Sequence, residues 1–379
     1  MFFEQGPIRP PSEAGSLLLR FTRNCPWNKC TFCPIYKGQS FSRRSLKDIF
    51  ADIDAVRKII DDLQDRSIQM GHGGHTSRQV LNAVLTSPST SACYRHVALW
   101  HFNGEGSVFI QDANSLVMAT GVLVEALRYL KTKVPGIRRI TSYARSSTVA
   151  RKSLEELKEI REAGLDRIHI GLESGSDRVL SFVEKGVTAA QHIEAGQKAI
   201  QAGMELSEYV MPGLGGKSMS RDHATETARV LNAIDPHFIR LRSLRIPPRT
   251  LLHQDSLQGR ITPLSDDETV LEIRLFIESL DGIRSHLSSD HIMNLLEEVE
   301  GAFPEGKKAM LAVMDRYLGM DRDEKLLFRF GRRGGALRSL DDLNEPLTRQ
   351  RLQHAMHDLM SKTGCDVEGL ITELGDQYI

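Results

Sequence analysis

Three cysteines, Cys25, Cys30 and Cys33, fall within nine residues of the stretch Arg-Phe-Thr-Arg-Asn-Cys-Pro-Trp-Asn-Lys-Cys-Thr-Phe-Cys-Pro. An odd, crowded set cannot all close as disulfides, but thiolates this close can share a metal. The chain's other two cysteines, Cys93 and Cys365, stand alone and read as inert thiols. A structural zinc ion wants a fourth Cys or His at ligand spacing. The nearest downstream histidines, His72 and His75, lie far along the chain among glycines, where a solvent loop and a ligand-bearing loop are both open readings. Three thiolates with a vacant fourth position suit a [4Fe–4S] cluster whose last iron takes a small ligand. Iron–sulfur, zinc and purely structural thiols are the three readings of the residues themselves.

The elements that must position these thiols alternate along the chain. Residues 16–22 form a short apolar run that ends at the cysteine loop, as a buried strand would. A helix follows from Ser45 to about Leu63, with Leu46, Ile49, Ile53, Val56, Ile59, Ile60 and Leu63 on one face. Residues 65–105 read as an insertion. Beyond it, strands at Val108–Gln111, Ile137–Tyr143, Asp166–Gly171, Glu205–Val210 and Phe238–Leu244 alternate with helical patterns. Strands separated by helices of 10–15 residues mean βαβ units and a parallel sheet. Right-handed crossovers curl six such units into a partial (β/α)6, TIM-like barrel. The fold class is therefore α/β, with a barrel over residues 1–250. A helical C-terminal domain over 251–379 follows, with helices at Glu268–Ser279, Ile292–Glu300, Lys307–Tyr317 and Arg349–Thr363 and no strand pair.

In parallel α/β barrels the functional residues sit at the carboxyl ends of the strands. The distinctive side chains here fall at those ends: Asp112 and Asn114 after the second strand, Tyr143 and Arg145 after the third, Glu173 after the fourth, Gly213 after the fifth and Arg242 after the sixth. Arg240 and Arg242, two apart, share one face of their strand, suited to a carboxylate or phosphate if that face is the lumen and to surface ion pairs otherwise. Asp112 suits an ammonium group, and equally a helix cap at Ser115. The Gly213-Leu-Gly-Gly216 run lacks P-loop spacing and reads as a tight turn.

The cysteine loop resembles that of the radical S-adenosylmethionine (SAM) superfamily, whose signature is Cys-x3-Cys-x2-Cys with an aromatic residue before the last cysteine. Phe32 fills the aromatic place and Cys30 and Cys33 keep the spacing, while the first gap, Pro26 to Lys29, is one residue longer. The segment Gly171-Leu-Glu-Ser-Gly-Ser176 resembles the branch containing methylthiotransferases and oxygen-independent coproporphyrinogen oxidases. That resemblance implies that Glu173 contacts the ribose or methionyl part of SAM. It also implies that Lys185, twelve residues on, binds the SAM carboxylate as a point charge where arginine is commoner. Phe32, Asp112, Asn114, Tyr143, Arg145, Gly213 and Arg242 complete the expected cofactor site, with Cys25, Cys30 and Cys33 on the metal.

The resemblance implies an enzyme that reductively cleaves SAM at a [4Fe–4S] cluster to a 5′-deoxyadenosyl radical, which abstracts a substrate hydrogen. It implies an external electron donor such as ferredoxin or flavodoxin. Lys plus Arg and Asp plus Glu are both 49 in 379 residues, so no basic body invites nucleic acid. A small-molecule or cofactor-precursor substrate is the expectation. An RNA modifier, and a non-catalytic iron–sulfur or heme-binding carrier on the same fold, are the alternatives. No apolar run reaches membrane-span length, the N-terminus does not read as a signal peptide, and clustered reduced cysteines point to the cytoplasm.

Overall fold

A computed structural model describes residues 1–376. The long strands are β1 (Leu17–Arg20), β2 (Ser107–Gln111), β3 (Arg139–Ala144), β4 (Leu165–Glu173), β5 (Glu205–Val210) and β6 (Phe238–Leu241). Two short ones follow, β7 (His286–Ser288) and β8 (Gly301–Ala302). The helices are α1 (Leu46–Gln69), α2 (Arg78–Thr86), α3 (Ala92–Asn103), α4 (Thr120–Lys133), α5 (Ser146–Arg151), α6 (Leu154–Ala163), α7 (Asp177–Phe182), α8 (Ala189–Gln201), α9 (Gly216–Ile234), α10 (Leu251–Leu257), α11 (Asp266–Ser279), α12 (Lys307–Leu318), α13 (Arg322–Arg333), α14 (Pro346–Thr363) and α15 (Val367–Asp376). Strands joined through helices and paired mostly in parallel make this the α/β class expected.

The chain divides into two compact units. The first holds Met1–Asn28, Ile35–Ile170 and Glu194–Leu206. In it, β1 pairs in parallel with β2 (Leu18 opposite Phe109), β2 with β3 (Phe109 opposite Thr141) and β3 with β4 (Tyr143 opposite His169). Leu17, Leu19, Val108, Phe109, Ile110 and Ile168 are all shut from solvent. Burial on both faces is the pattern of covered parallel strands, which is why these runs read as continuously apolar. Helix α1 starts where the Ser45 side chain accepts from the Asp48 amide, and buries Ile49, Ile53, Val56, Ile60 and Leu63 alongside α3 and α4. Residues 65–105, read as an insertion, carry the end of α1 plus α2 and α3. His72 and His75 lie in the turn after α1, with the His75 carbonyl accepting from the Ser67 hydroxyl at 2.6 Å.

The second unit holds Lys29–Pro34, Gly171–Ile193 and Ser207 onward. Here β5 runs parallel to β6 (Val210 opposite Leu241) and β6 to β7 (Ile239 opposite Leu287), and β8 closes antiparallel on β7. The β7–β8 pair corrects the expectation of a strand-free C-terminal region. At three and two residues, these strands are too short to carry a period. The helix expected over Ile292–Glu300 does not form either. Its Asn294 side chain donates to the Leu241 carbonyl at 2.8 Å and accepts from the Ser243 amide, also at 2.8 Å, pinning the segment to the exit of β6.

Candidate functional site

In the first unit, the start of the cysteine loop is held from below by Asp112. This residue is fully buried, with φ of 70°. Its carboxylate accepts from the Arg20 guanidinium at 2.5 Å, the Asn24 amide at 3.0 Å and the Tyr36 hydroxyl at 3.0 Å. An Asp with this many charge-assisted and neutral donors is a strut. It does not cap a helix: a short 3-10 turn runs Ser115–Val117 and α4 starts only at Thr120.

Asn24 and Asn28 bracket Cys25 in left-handed conformations, φ 67° and 47°, which asparagine tolerates better than most residues. The Asn28 side chain donates to the Tyr36 carbonyl at 2.6 Å while its amide points to Cys25 Sγ at 3.4 Å. Asn28 lies inside the long Cys25–Cys30 gap, so the extra residue is absorbed in a turn with its own hydrogen bonds. Arg145 lies over the Trp27 ring at 5.3 Å, a cation–π contact onto the same loop. Its amide donates to Asn114 Oδ1 at 3.2 Å, and Asn114 Nδ2 donates to Thr148 Oγ1 at 2.8 Å. Tyr143 packs edge-on against Phe109 at 5.2 Å and beside His169 at 5.7 Å.

In the second unit the remaining loop residues meet the end of β4. The Thr31 amide donates to the Val183 carbonyl, and Thr31 in turn accepts from Leu252, at 3.0 and 3.1 Å. Phe32 packs with Phe182, Met211 and Leu244 against Val179, Val183, Leu214 and Met219. Lys185 Nζ lies 5.7 Å from the Phe32 ring centre and donates to Glu173 Oε1 at 2.9 Å. Both members of that ion pair are nearly buried, and Glu173 has φ of 62°. A Cβ on Gly171 would collide with the Glu173 carboxylate, so the glycine two residues before it gives the pair its room. Arg242 is exposed just beyond β6, and its amide donates to Val210 at 2.9 Å. Arg240 is buried and pairs with Asp290 at 3.1 Å.

Sequence reasoning missed two groups in this unit. His223, buried on α9, joins two strand-end loops. Because the Met211 carbonyl only accepts, Nε2–H donates to it (3.1 Å) and the Ser174 hydroxyl donates to Nδ1 (2.8 Å). Glu272 stands 3.7 Å from the same imidazole and accepts from the Gly213 amide at 2.6 Å, where φ of 89° demands a glycine. The signal was a histidine on the four-residue stripe Met219, His223, Thr227, Leu231. Glu208 is the second group. It is fully buried on β5, and neither carboxylate oxygen has a hydrogen-bond partner. Burial first, then the charge of Glu173, hold its pKa well above the carboxylate range, with Lys185 opposing them.

Among the described residues no three His, Cys, Asp or Glu side chains stand at metal-holding separation. None of the five cysteines is in a disulfide; Cys30 is buried and Cys25 and Cys33 are half-buried. Three thiol sulfurs outside any disulfide, one of them receiving an amide N–H, are the donor chemistry that an iron–sulfur cluster takes.

Residues 19–228 match the model of the radical SAM superfamily. The chain belongs to that family. It is accordingly an enzyme of the superfamily, whose cofactors are SAM and a [4Fe–4S] cluster. It is 22% identical over 291 residues to a tRNA uridine(34) acetyltransferase of Methanocaldococcus jannaschii, covering 72% of this chain and 50% of that protein. It is 25% identical over 230 residues to 4′-phospho-dehydrooxetanocin synthase of Priestia megaterium, covering 58% and 27%. The chain thus spans half or less of the length of these curated relatives. Among solved structures, the cobalamin-dependent SAM radical enzyme OxsB with aqua-cobalamin bound aligns at TM-score 0.47 and 15% identity over 94% of this chain and 52% of that one. Coproporphyrinogen III oxidase (HemN) from Escherichia coli aligns at 0.43 and 13% over 67% and 49%. Among the described residues no helix is long and apolar enough to cross a membrane.

Proposed function

We propose that this radical SAM enzyme abstracts a hydrogen atom from a small-molecule substrate, with Cys25, Cys30 and Cys33 as the thiolates on the cluster. The supporting observation is the Glu173–Lys185 pair beside Phe32. Residues 32, 173 and 185 come from two separated motifs, yet the second unit holds them within one polar and aromatic cluster. When bound, the cluster supplies one electron that splits the SAM sulfonium into methionine and a 5′-deoxyadenosyl radical.

The chain's own residues bind and orient. Lys185 presents a cation for a carboxylate, and Glu173 an acceptor for hydroxyl or ammonium hydrogens. The Glu173–Lys185 pair holds both side chains in place before a ligand arrives, which reduces the reorganisation needed on binding. His223 fixes Ser174, next to Glu173, to Met211. Glu272 holds the Gly213 turn. The low-potential electron comes from a separate reductant of the ferredoxin or flavodoxin kind.

The test is anaerobic reconstitution with iron and sulfide, then dithionite and SAM. Visible sulfur-to-iron charge-transfer absorbance and 5′-deoxyadenosine are the expected products. A preparation that shows neither would sink the proposal, and a cluster without SAM cleavage would support an electron-carrying role instead. A second reading, an RNA substrate, is favoured by one observation: a relative over 72% of this chain is named as a tRNA uridine(34) acetyltransferase. Stimulation of 5′-deoxyadenosine formation by bulk tRNA, absent with ribonuclease-treated tRNA, would select it.

A further inference from the structure

Beyond β6 the second unit encloses a cavity of about 60 Å³, lined in part by Ser243, Leu244, Arg245, Asp266, Met293 and Arg333. A water needs roughly 10–15 Å³ on this measure. The space therefore fits an oxyanion group with a water or two, and is too small for a whole nucleotide. Leu241 ends β6 and Ser243 to Arg245 follow it directly, so the cavity opens at the carboxyl end of a parallel strand, where barrel ligands collect.

The wall is short of negative charge. It carries two guanidinium groups, Arg245 and Arg333, and one carboxylate, Asp266. That carboxylate is committed. One oxygen accepts from Arg333 and the other from Arg329, both at 2.8 Å. Although burial works to raise its pKa, the charges of Arg333 and Arg329 hold it below the usual range, so it stays an anion with each oxygen already paired to a guanidinium. Arg333 also donates to the Met293 carbonyl at 2.8 Å, but its buried Nε–H has no acceptor. Among the described residues Arg245 makes no hydrogen bond, and its nearest carboxylate is Asp376, at 4.0 Å. Burial and the neighbouring Arg333 charge lower the Arg245 pKa. A half-buried guanidinium beside another, with an orphaned N–H between apolar walls, is costly unless an anion joins it.

We propose that this cavity is an anion-binding site that takes the carboxylate or phosphate group of a small molecule, gripped by Arg245 and Arg333. A guanidinium meets either oxyanion with paired N–H donors. Assigning that molecule as the substrate rests on the proposed function; the anion site itself does not.

The experiment is isothermal titration of the full chain with inorganic phosphate and, separately, with acetate, against chloride at matched ionic strength. The expected result is saturable binding of at least one oxyanion, weakened tenfold or more in Arg245→Gln and partly restored in Arg245→Lys. Arg245 is the residue to change because Arg333 also ties α13 to Met293 and its loss would disturb folding. Preference for phosphate indicates a phosphate ester, and preference for acetate a carboxylic acid. Oxyanion binding no tighter than chloride, or unchanged in Arg245→Gln, overturns the site. The titration needs no reductant or SAM, so its failure is distinct from failure of radical generation.

Discussion

His96 offers a direct test of how the first unit is held together. Its Nε2 accepts the Leu18 amide at 3.1 Å, so a half-buried imidazole supports the strand that feeds the cysteine loop. Only the neutral ring can accept there. Burial, with a smaller contribution from the charge of Arg9, lowers the His96 pKa from 6.5 to about 4. The folded value is depressed, so the unfolded chain takes up the proton first. The stabilising contribution is present above about pH 6.5 and is lost as pH falls toward about 4. The full difference is worth about 3.4 kcal/mol, of which about 2 kcal/mol has gone by about pH 5.

His96→Gln retains an acceptor and cannot titrate. Urea unfolding of the cluster-free protein, followed by far-UV circular dichroism from about pH 7.5 to about pH 5, should show the parent chain losing about 2 kcal/mol more than the variant. Comparing slopes removes whatever the substitution itself costs at high pH. It also cancels His291, which burial and Arg242 likewise hold at about 4. Stability curves that run parallel over this range would refute the assignment of His96 as a neutral acceptor.

Three further outcomes are expected. Lys185→Met should weaken SAM binding about tenfold or more by equilibrium dialysis, with Lys185→Arg close to the parent chain, because a cation at that place is what the pair with Glu173 supplies. Cys30→Ala should leave reconstituted protein without stoichiometric iron and sulfide, whereas Cys93→Ala, whose thiol is buried against the Phe3 carbonyl at 3.4 Å, should retain both. Glu208→Gln should flatten part of the pH dependence of stability. With a raised folded pKa, Glu208 contributes fully below the unfolded carboxylate value and loses that contribution as pH rises toward the folded one. Thermal unfolding should therefore show the variant gaining on the parent chain between about pH 5 and about pH 8.

Much of the frame was legible because its signals are local and repeated. Strands β1 and β2 are short, mostly apolar runs, and α6 and α11 begin with serine capping boxes that write their own start points. The cysteine spacing and the Glu173–Lys185 offset were equally plain. What escaped depended on contacts made far along the chain. Helix α9 starts at Gly216, where no side-chain cap marks its beginning. Residues Ile292–Glu300 have helical periodicity, yet the Asn294 side chain is tied to the Leu241 carbonyl at the end of β6. Asp112 was read as a ligand for an ammonium group or a helix cap. Its donors are Arg20, Asn24 and Tyr36, whose convergence no window of sequence displays.

Three carboxylates on or beside the strands, Asp112 and Glu208 buried and Glu173 nearly so, show why residue type alone does not assign a role. Asp112 accepts from three partners and is a structural anchor. Glu173 has one partner, Lys185, and sits where the chain turns through a left-handed residue; it keeps lone pairs for a ligand. Glu208 has none and avoids the cost of a buried charge by holding its proton. The same acid group thus occupies three states set by how many donors the fold supplies. A carboxylate with every acceptor site filled has little to offer a substrate, and one kept neutral cannot draw a cation. Of the three, Glu173 alone combines charge, open acceptor capacity and a positioned counter-ion. That combination is the physical ground on which Glu173 is proposed for the cofactor and the other two for the scaffold.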